Sequence, residues 1–114
     1  MIIKRGDVIL TDLEPVKGSE QGKIRPCLVI QNDLGNQFAA TTIVAAITSN
    51  IEKTFPFTVL VRAGDGNLKN DSLVLCNQIR TISKDHRVVR KLGTLQSESM
   101  KRVNEALKTS LALE

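Results

Sequence analysis

The chain has no tryptophan and no tyrosine, and its phenylalanines number three, Phe38, Phe55 and Phe57. It therefore lacks the stacking platform on which typical single-strand binders hold their bases. A single histidine, His86, rules out an RNA hydrolysis scheme built on two histidines. That histidine falls in the polar turn Ser83-Lys84-Asp85-His86-Arg87, where solvation is the simpler reading. One histidine and two cysteines do not make a convincing zinc site. The carboxylates are not clustered as a two-metal nuclease requires, so neither a metal nor a cofactor is expected. No apolar run approaches the ~18 residues that span a bilayer, and the N-terminus turns polar at Lys4 before any stretch of signal-peptide length. A cytoplasmic protein with no membrane partner is expected. In that compartment Cys27 and Cys76, both in apolar surroundings, read as reduced, buried thiols.

What is present is the material of one ordinary domain. The 114 residues are 41% hydrophobic and 25% charged, enough for a core without staples, and residues 1–114 read as a single domain. A net charge of +4 favours polyanionic partners such as nucleic acid or an acidic peptide. With so few aromatics, any nucleic acid would be held by hydrogen bonds and phosphate contacts.

Short β-patterned segments follow one another along the chain. Asp7–Leu13 alternates, as a half-buried strand does. Cys27–Gln31 is nearly continuous apolar, as in a strand buried on both faces. Asn32-Asp33-Leu34-Gly35-Asn36 is dense in turn formers and is expected to close that strand. Thr41–Thr48 reads as a central strand, Phe57–Arg62 as a fourth, Asp71–Leu75 as a fifth and Gln78–Ile82 as a short sixth; Val88–Leu92 adds another, with Gly93 as its exit. Ala63-Gly64-Asp65-Gly66-Asn67 is a turn, since its spacing is not that of a phosphate loop. Only the C-terminus has helical period: Met100, Val103, Leu107 and Leu111 make the apolar stripe, with Ser97 as expected cap. The fold class this implies is mainly β with a C-terminal helix, a small and mostly antiparallel barrel.

The chemistry concentrates in Gly18-Ser19-Glu20-Gln21-Gly22-Lys23-Ile24-Arg25-Pro26. A hairpin needs only about 2–5 residues, so a polar connection of this length points to a binding or catalytic loop, with a merely solvated loop as the plain alternative. Pro26 holds Arg25 extended at the start of the next strand. Arg25 begins one strand and Thr48 ends the next; antiparallel pairing would bring them together beneath the loop. A guanidinium and a hydroxyl converging on one point can bind a phosphate, and Glu20 could accept a proton. Ser19, Gln21, Ser49, Asn50 and Gln78 could support them. Each has an ordinary reading as well: Arg25 as a surface ion-pair partner of Glu20, Thr48 as a common strand end, Gln78 as edge-strand polarity.

The same residues carry a resemblance. Lys4-Arg5-Gly6-Asp7-Val8, Leu13 through Pro15, Gly18-Ser19-Glu20-Gln21-Gly22 with Arg25-Pro26, and Val29-Ile30-Gln31-Asn32-Asp33 resemble the MazF/PemK family of toxin endoribonucleases, most nearly those of Gram-positive bacteria. The likeness continues through Gly35-Asn36, Ile43–Thr48, Asp71-Ser72, Gln78–Ile82 and the final helix, almost the whole chain. One departure is the Ser83–Arg87 turn, a residue longer than in close relatives. The resemblance implies an SH3-like small barrel of the CcdB/PemK type, a homodimer, and metal-independent, sequence-specific cleavage of single-stranded mRNA. The products would be a 2′,3′-cyclic phosphate and a 5′-hydroxyl. It implies Arg25, Thr48 and Glu20 as catalytic residues, with Lys17, Ser19, Gln21, Ser49, Asn50 and Gln78 on the RNA. It also implies a MazE-type antitoxin with an acidic, disordered tail. A gyrase-poisoning toxin on the same barrel is the alternative, and it leaves the Ser-Glu-Gln…Arg-Pro loop unexplained.

Overall fold

The alternation that begins at Asp7 becomes strand β1 (Asp7–Asp12) in the computed structural model, which spans residues 1–114 and describes all but residues 16, 21 and 22. Strands β2 (Ile24–Val29), β3 (Thr41–Thr48), β4 (Thr58–Val61), β5 (Ser72–Ser83) and β6 (Val88–Thr94) complete one sheet, ordered β4-β5-β3-β2-β1-β6. Every pairing is antiparallel. The expected mainly β architecture is thus present, with the two end strands, β4 and β6, not paired to each other, so the sheet stays open rather than closing into a barrel.

Because side chains alternate across a strand, each strand contributes to two cores. Val8, Leu28, Ala45, Ile47, Val74 and Cys76 face one side, together with Val103 and Ala106 of the C-terminal helix. Ile9, Leu13, Cys27, Val29, Val44 and Ile82 face the other. This double burial explains why β2 and β3 read as nearly unbroken apolar runs.

Four local expectations are corrected. The Asn32–Asn36 segment does not stop at a turn but opens helix α1 (Asp33–Phe38), because the Asn32 side-chain oxygen accepts from the Gly35 amide at 2.7 Å and caps it. The Ser83–Arg87 turn contains a one-turn helix, α2 (Lys84–Arg87), capped by the Ser83 hydroxyl. The two strands expected over 71–82 are one strand, β5, bent at an irregularity. The C-terminal helix α3 (Ser97–Leu111) begins after Gln96, which supplies no side-chain cap; Ser97 is already helical, and it is the Ser99 hydroxyl that anchors the first turn, donating to Asp65 at 2.5 Å. The α3 stripe packs as expected at Val103, while Leu111 stays largely exposed.

The irregularity in β5 matters most for the site. Ala45 pairs with Ile79 while the next residue, Ala46, pairs with Leu75, so Cys76, Asn77 and Gln78 are extra in β5 and bulge from the ladder. Near the other edge a 3₁₀ turn (Asp65–Asn67) lies against β6, and Gly66 there has φ +62°. A Cβ on Gly66 would lie 2.6 Å from Val8 Cγ2 and 2.9 Å from Leu95 Cδ2. Among the described residues, no helix is long and apolar enough to cross a membrane.

Candidate active site

The register decides whether the predicted residues meet. β2 and β3 pair through Val29↔Val44, Leu28↔Ala45 and Cys27↔Ala46. The pairs end at Cys27↔Ala46; beyond them the Arg25 end of β2 runs toward the Thr48 end of β3, and Thr48 lines neither of the two cavities beside them. Arg25 pairs with Thr11 of β1, and Thr48 with Leu73 of β5. The Thr48 hydroxyl accepts from the Asn50 amide at 3.2 Å, which leaves its own proton to be donated elsewhere.

Beside β2 and β3 lies a cavity of about 520 Å³. Cys27 and Ala46 form part of its floor, Ser19 and Glu20 come from the polar loop, and Asn77, Gln78 and Arg80 come from the bulge and the strand after it. The loop is fastened at several points. Its neck is closed by the Leu13 amide donating to the Lys23 carbonyl at 2.9 Å. Arg80 Nη1 donates to the Leu13 carbonyl at 2.9 Å, and Arg87 Nη1 donates to the carbonyls of Asp12 and Glu14. Gln78 reaches the Ser19 carbonyl at 3.4 Å. Glu20 folds back within the loop: its Oε1 accepts from the Lys17 amide at 2.7 Å, while its own amide donates to the Lys17 carbonyl at 3.2 Å.

The predicted residues therefore divide. Ser19, Glu20 and Gln78 share the first cavity. Arg25 and Ser49 border a second one, of about 310 Å³, at the ends of the same strands. Lys17 is exposed and contributes to the loop through its main chain, and Asn50 turns its side-chain oxygen to the Glu52 amide at 3.2 Å. Gln21 lies outside the described residues. Burial pushes the Cys27 thiol from 9.0 up to about 11, against the pull of the Thr11 hydroxyl and of Arg80 and Arg25, so it is a neutral floor and not a nucleophile at neutral pH.

Two residues on the cavity wall were missed from the sequence, Arg80 and Asn77. Arg80 was within reach: in a strand it shares a face with Gln78, two residues earlier. Asn77 was not, since only the bulge turns it toward the cleft.

Fold and cleft together define a small, open antiparallel domain whose polar site is built from strand ends under one long hydrogen-bonded loop. The chain belongs to the family described as PemK-like, MazF-like toxins of type II toxin-antitoxin systems, whose model matches residues 4–111. It is 54% identical to endoribonuclease EndoA of Bacillus subtilis over 114 residues, covering 99% of this chain and 97% of that one. It is 49% identical to endoribonuclease MazF of Staphylococcus saprophyticus over 113 residues, covering 98% and 93%. Among solved structures, MazF of Deinococcus radiodurans superposes with a TM-score of 0.85 at 23% identity, over 98% of each chain, a likeness of fold. A mycobacterial endoribonuclease in complex with its cognate antitoxin gives 0.81 at 26% identity, over 98% of this chain and 97% of that one.

Proposed function

We propose that this protein is the toxin of a type II toxin-antitoxin system, an endoribonuclease that cuts single-stranded mRNA without a metal ion. The observation that supports the reading is the antiparallel β2–β3 pairing, whose register, continued past Cys27↔Ala46, would bring Arg25 and Thr48 together near a cleft walled by Ser19, Glu20 and Gln78. Family membership and near-complete coverage of two relatives named as endoribonucleases support it. Both relatives are named as endoribonucleases and neither for an action on gyrase, so the gyrase alternative has no support.

In this mechanism the RNA 2′-oxygen attacks the adjacent phosphorus, the bond to the 5′-oxygen breaks, that oxygen takes a proton from solvent water, and a 2′,3′-cyclic phosphate and a 5′-hydroxyl result. Arg25 and Thr48 donate to the non-bridging oxygens, where charge builds in the transition state. An arginine with a pKa above about 12 is a poor acid at neutral pH, so its work is charge stabilisation. Glu20 takes the 2′-hydroxyl proton on Oε2, its carboxylate being aimed by the Lys17 amide on Oε1. Lys17, Ser19, Gln21, Ser49, Asn50 and Gln78 bind the strand. The protein acts in the cytoplasm as a homodimer, and its antitoxin resembles MazE, with an acidic segment that competes with RNA for the cleft.

The test uses purified protein, a long single-stranded transcript and excess EDTA, with cut positions and end groups determined. Cleavage at a short fixed word leaving cyclic phosphate ends is expected. Intact RNA would reject the enzyme, and cleavage abolished by the chelator would reject the metal-free mechanism.

A further inference from the structure

The second cavity differs in charge from four others among the described residues. Its walls carry three cations, Arg25, Lys69 and Arg90, and no carboxylate. Four other cavities each have at least one acid on their walls: Glu20 in the cleft above, Glu105 in two, Asp33 in the fourth. Acids on the adjoining loops are already engaged. Asp71 accepts from the Ala63 amide at 2.9 Å and from Arg62 at 3.1 Å, and Asp65 accepts from the Gln96 amide and the Ser99 hydroxyl. Lys69 and Arg90 are exposed, and among the described residues neither side chain has a hydrogen bond or ion pair.

Its shape is equally particular. Under the cationic rim the floor is apolar, made by Leu10, Pro26, Ile47 and Leu68. Asn67 is fixed beside it by donating to the Leu92 carbonyl at 3.1 Å. A volume of about 310 Å³ suits one small planar group with a charged substituent. Arg25 itself borders this cavity, so a polyanion held at Arg25 extends into it.

We propose that this cavity is a subsite for a nucleotide of the single-stranded RNA next to the cleaved phosphodiester, its base on the apolar floor and its backbone phosphate between Lys69 and Arg90. The assignment rests on the endoribonuclease reading and adds to it two residues that set affinity for the flanking strand.

The experiment measures binding without cleavage. Mixed-sequence 2′-O-methyl RNAs of about 6 and about 16 nucleotides are titrated against wild type, Lys69→Ala, Arg90→Ala and the control Lys101→Ala, each first checked for a wild-type melting curve. The longer RNA is expected to bind wild type and the control more tightly than the shorter. Lys69→Ala and Arg90→Ala should each lose that gain several-fold, with the salt slope shallower by about 0.7 per phosphate contact removed. Binding by both variants that matches the control overturns the subsite. So does a loss seen only for polyglutamate and not for RNA, which would give the cavity to an acidic polypeptide. Cleavage of unmodified transcript by wild type, scored in parallel, separates the two claims. No cleavage with variant-sensitive binding rejects the enzyme and keeps the subsite; cleavage with insensitive binding does the reverse.

Discussion

Arg80 Nη1 holds the Leu13 carbonyl at 2.9 Å, so the strand that carries Gln78 is tied to the root of the loop that carries Ser19 and Glu20. The two walls of the cleft are thereby set against each other by one guanidinium. Arg80→Ala frees the loop from β5 and leaves a part-buried carbonyl without this donor. The expected outcome is a stability loss of about 1–3 kcal/mol, with KM for RNA rising more than kcat falls. Urea unfolding and initial rates measure both; unchanged KM in the folded variant would remove Arg80 from the positioning of the loop.

Arg25→Ala deletes the charged donor at the strand end. Loss of one such donor costs about 10²–10³ in kcat in comparable sites. Far-UV circular dichroism should stay as in wild type, since Arg25 is not part of either core. Near-normal cleavage by the folded variant contradicts its assigned role.

Glu20→Gln separates two duties of one side chain. Glutamine keeps an oxygen to accept from the Lys17 amide but cannot take a proton. A general base contributes about 10²–10⁴-fold, so kcat should fall by at least about a hundredfold, as in Glu20→Ala. A glutamine variant within tenfold of wild type would show that Glu20 only closes the loop.

Gly66→Ala places a methyl group between Val8 and Leu95 at a residue with positive φ, as the 2.6 Å and 2.9 Å approaches require. Overpacking and the left-handed conformation act together, and a loss of about 2–4 kcal/mol is expected. Thermal unfolding measures it. An unchanged melting temperature would mean that the turn and β6 can separate without cost.

The thiols give a pH test. Burial raises both Cys27 and Cys76 from 9.0 to about 11. Between those values the unfolded chain has lost protons that the folded chain keeps, so stability falls as pH rises from about 9 to 11. With no tyrosine in the chain, little else that is buried titrates there. Urea midpoints at pH 8 and pH 10.5 should differ for wild type and much less for Cys27→Ala/Cys76→Ala. Equal slopes would mean that the thiols already ionise in the folded protein.

The legible parts of the fold were those written in period and punctuation. Alternation from Asp7, the apolar run at Cys27 and the stripe through Val103 placed β1, β2 and α3, and the antiparallel pairing of β2 with β3 followed from strand order alone. Helix α1 was missed because Asn32, Asp33 and Asn36 serve turns and caps equally well, and only the Asn32 bond to the Gly35 amide separates the two. The bulge left no mark, for Cys76-Asn77-Gln78 is neither glycine-rich nor proline-bearing. That is why β5 was divided in two and Asn77 went unnoticed. The second cavity was invisible for another reason: Lys69 and Arg90 are 21 residues apart in sequence and meet only across the fold.

The offset in β5 has one more effect. Strand pairs on both sides of it are regular, from Thr41↔Ser83 to Ala45↔Ile79 and from Ala46↔Leu75 to Thr48↔Leu73. Residues 77 and 78 can therefore be exchanged, and the excursion lengthened or shortened, without altering any of those partners. The lining of the cleft at Asn77 and Gln78 is thus separable from the ladder, and side chains there can vary while the framework around them is inherited intact.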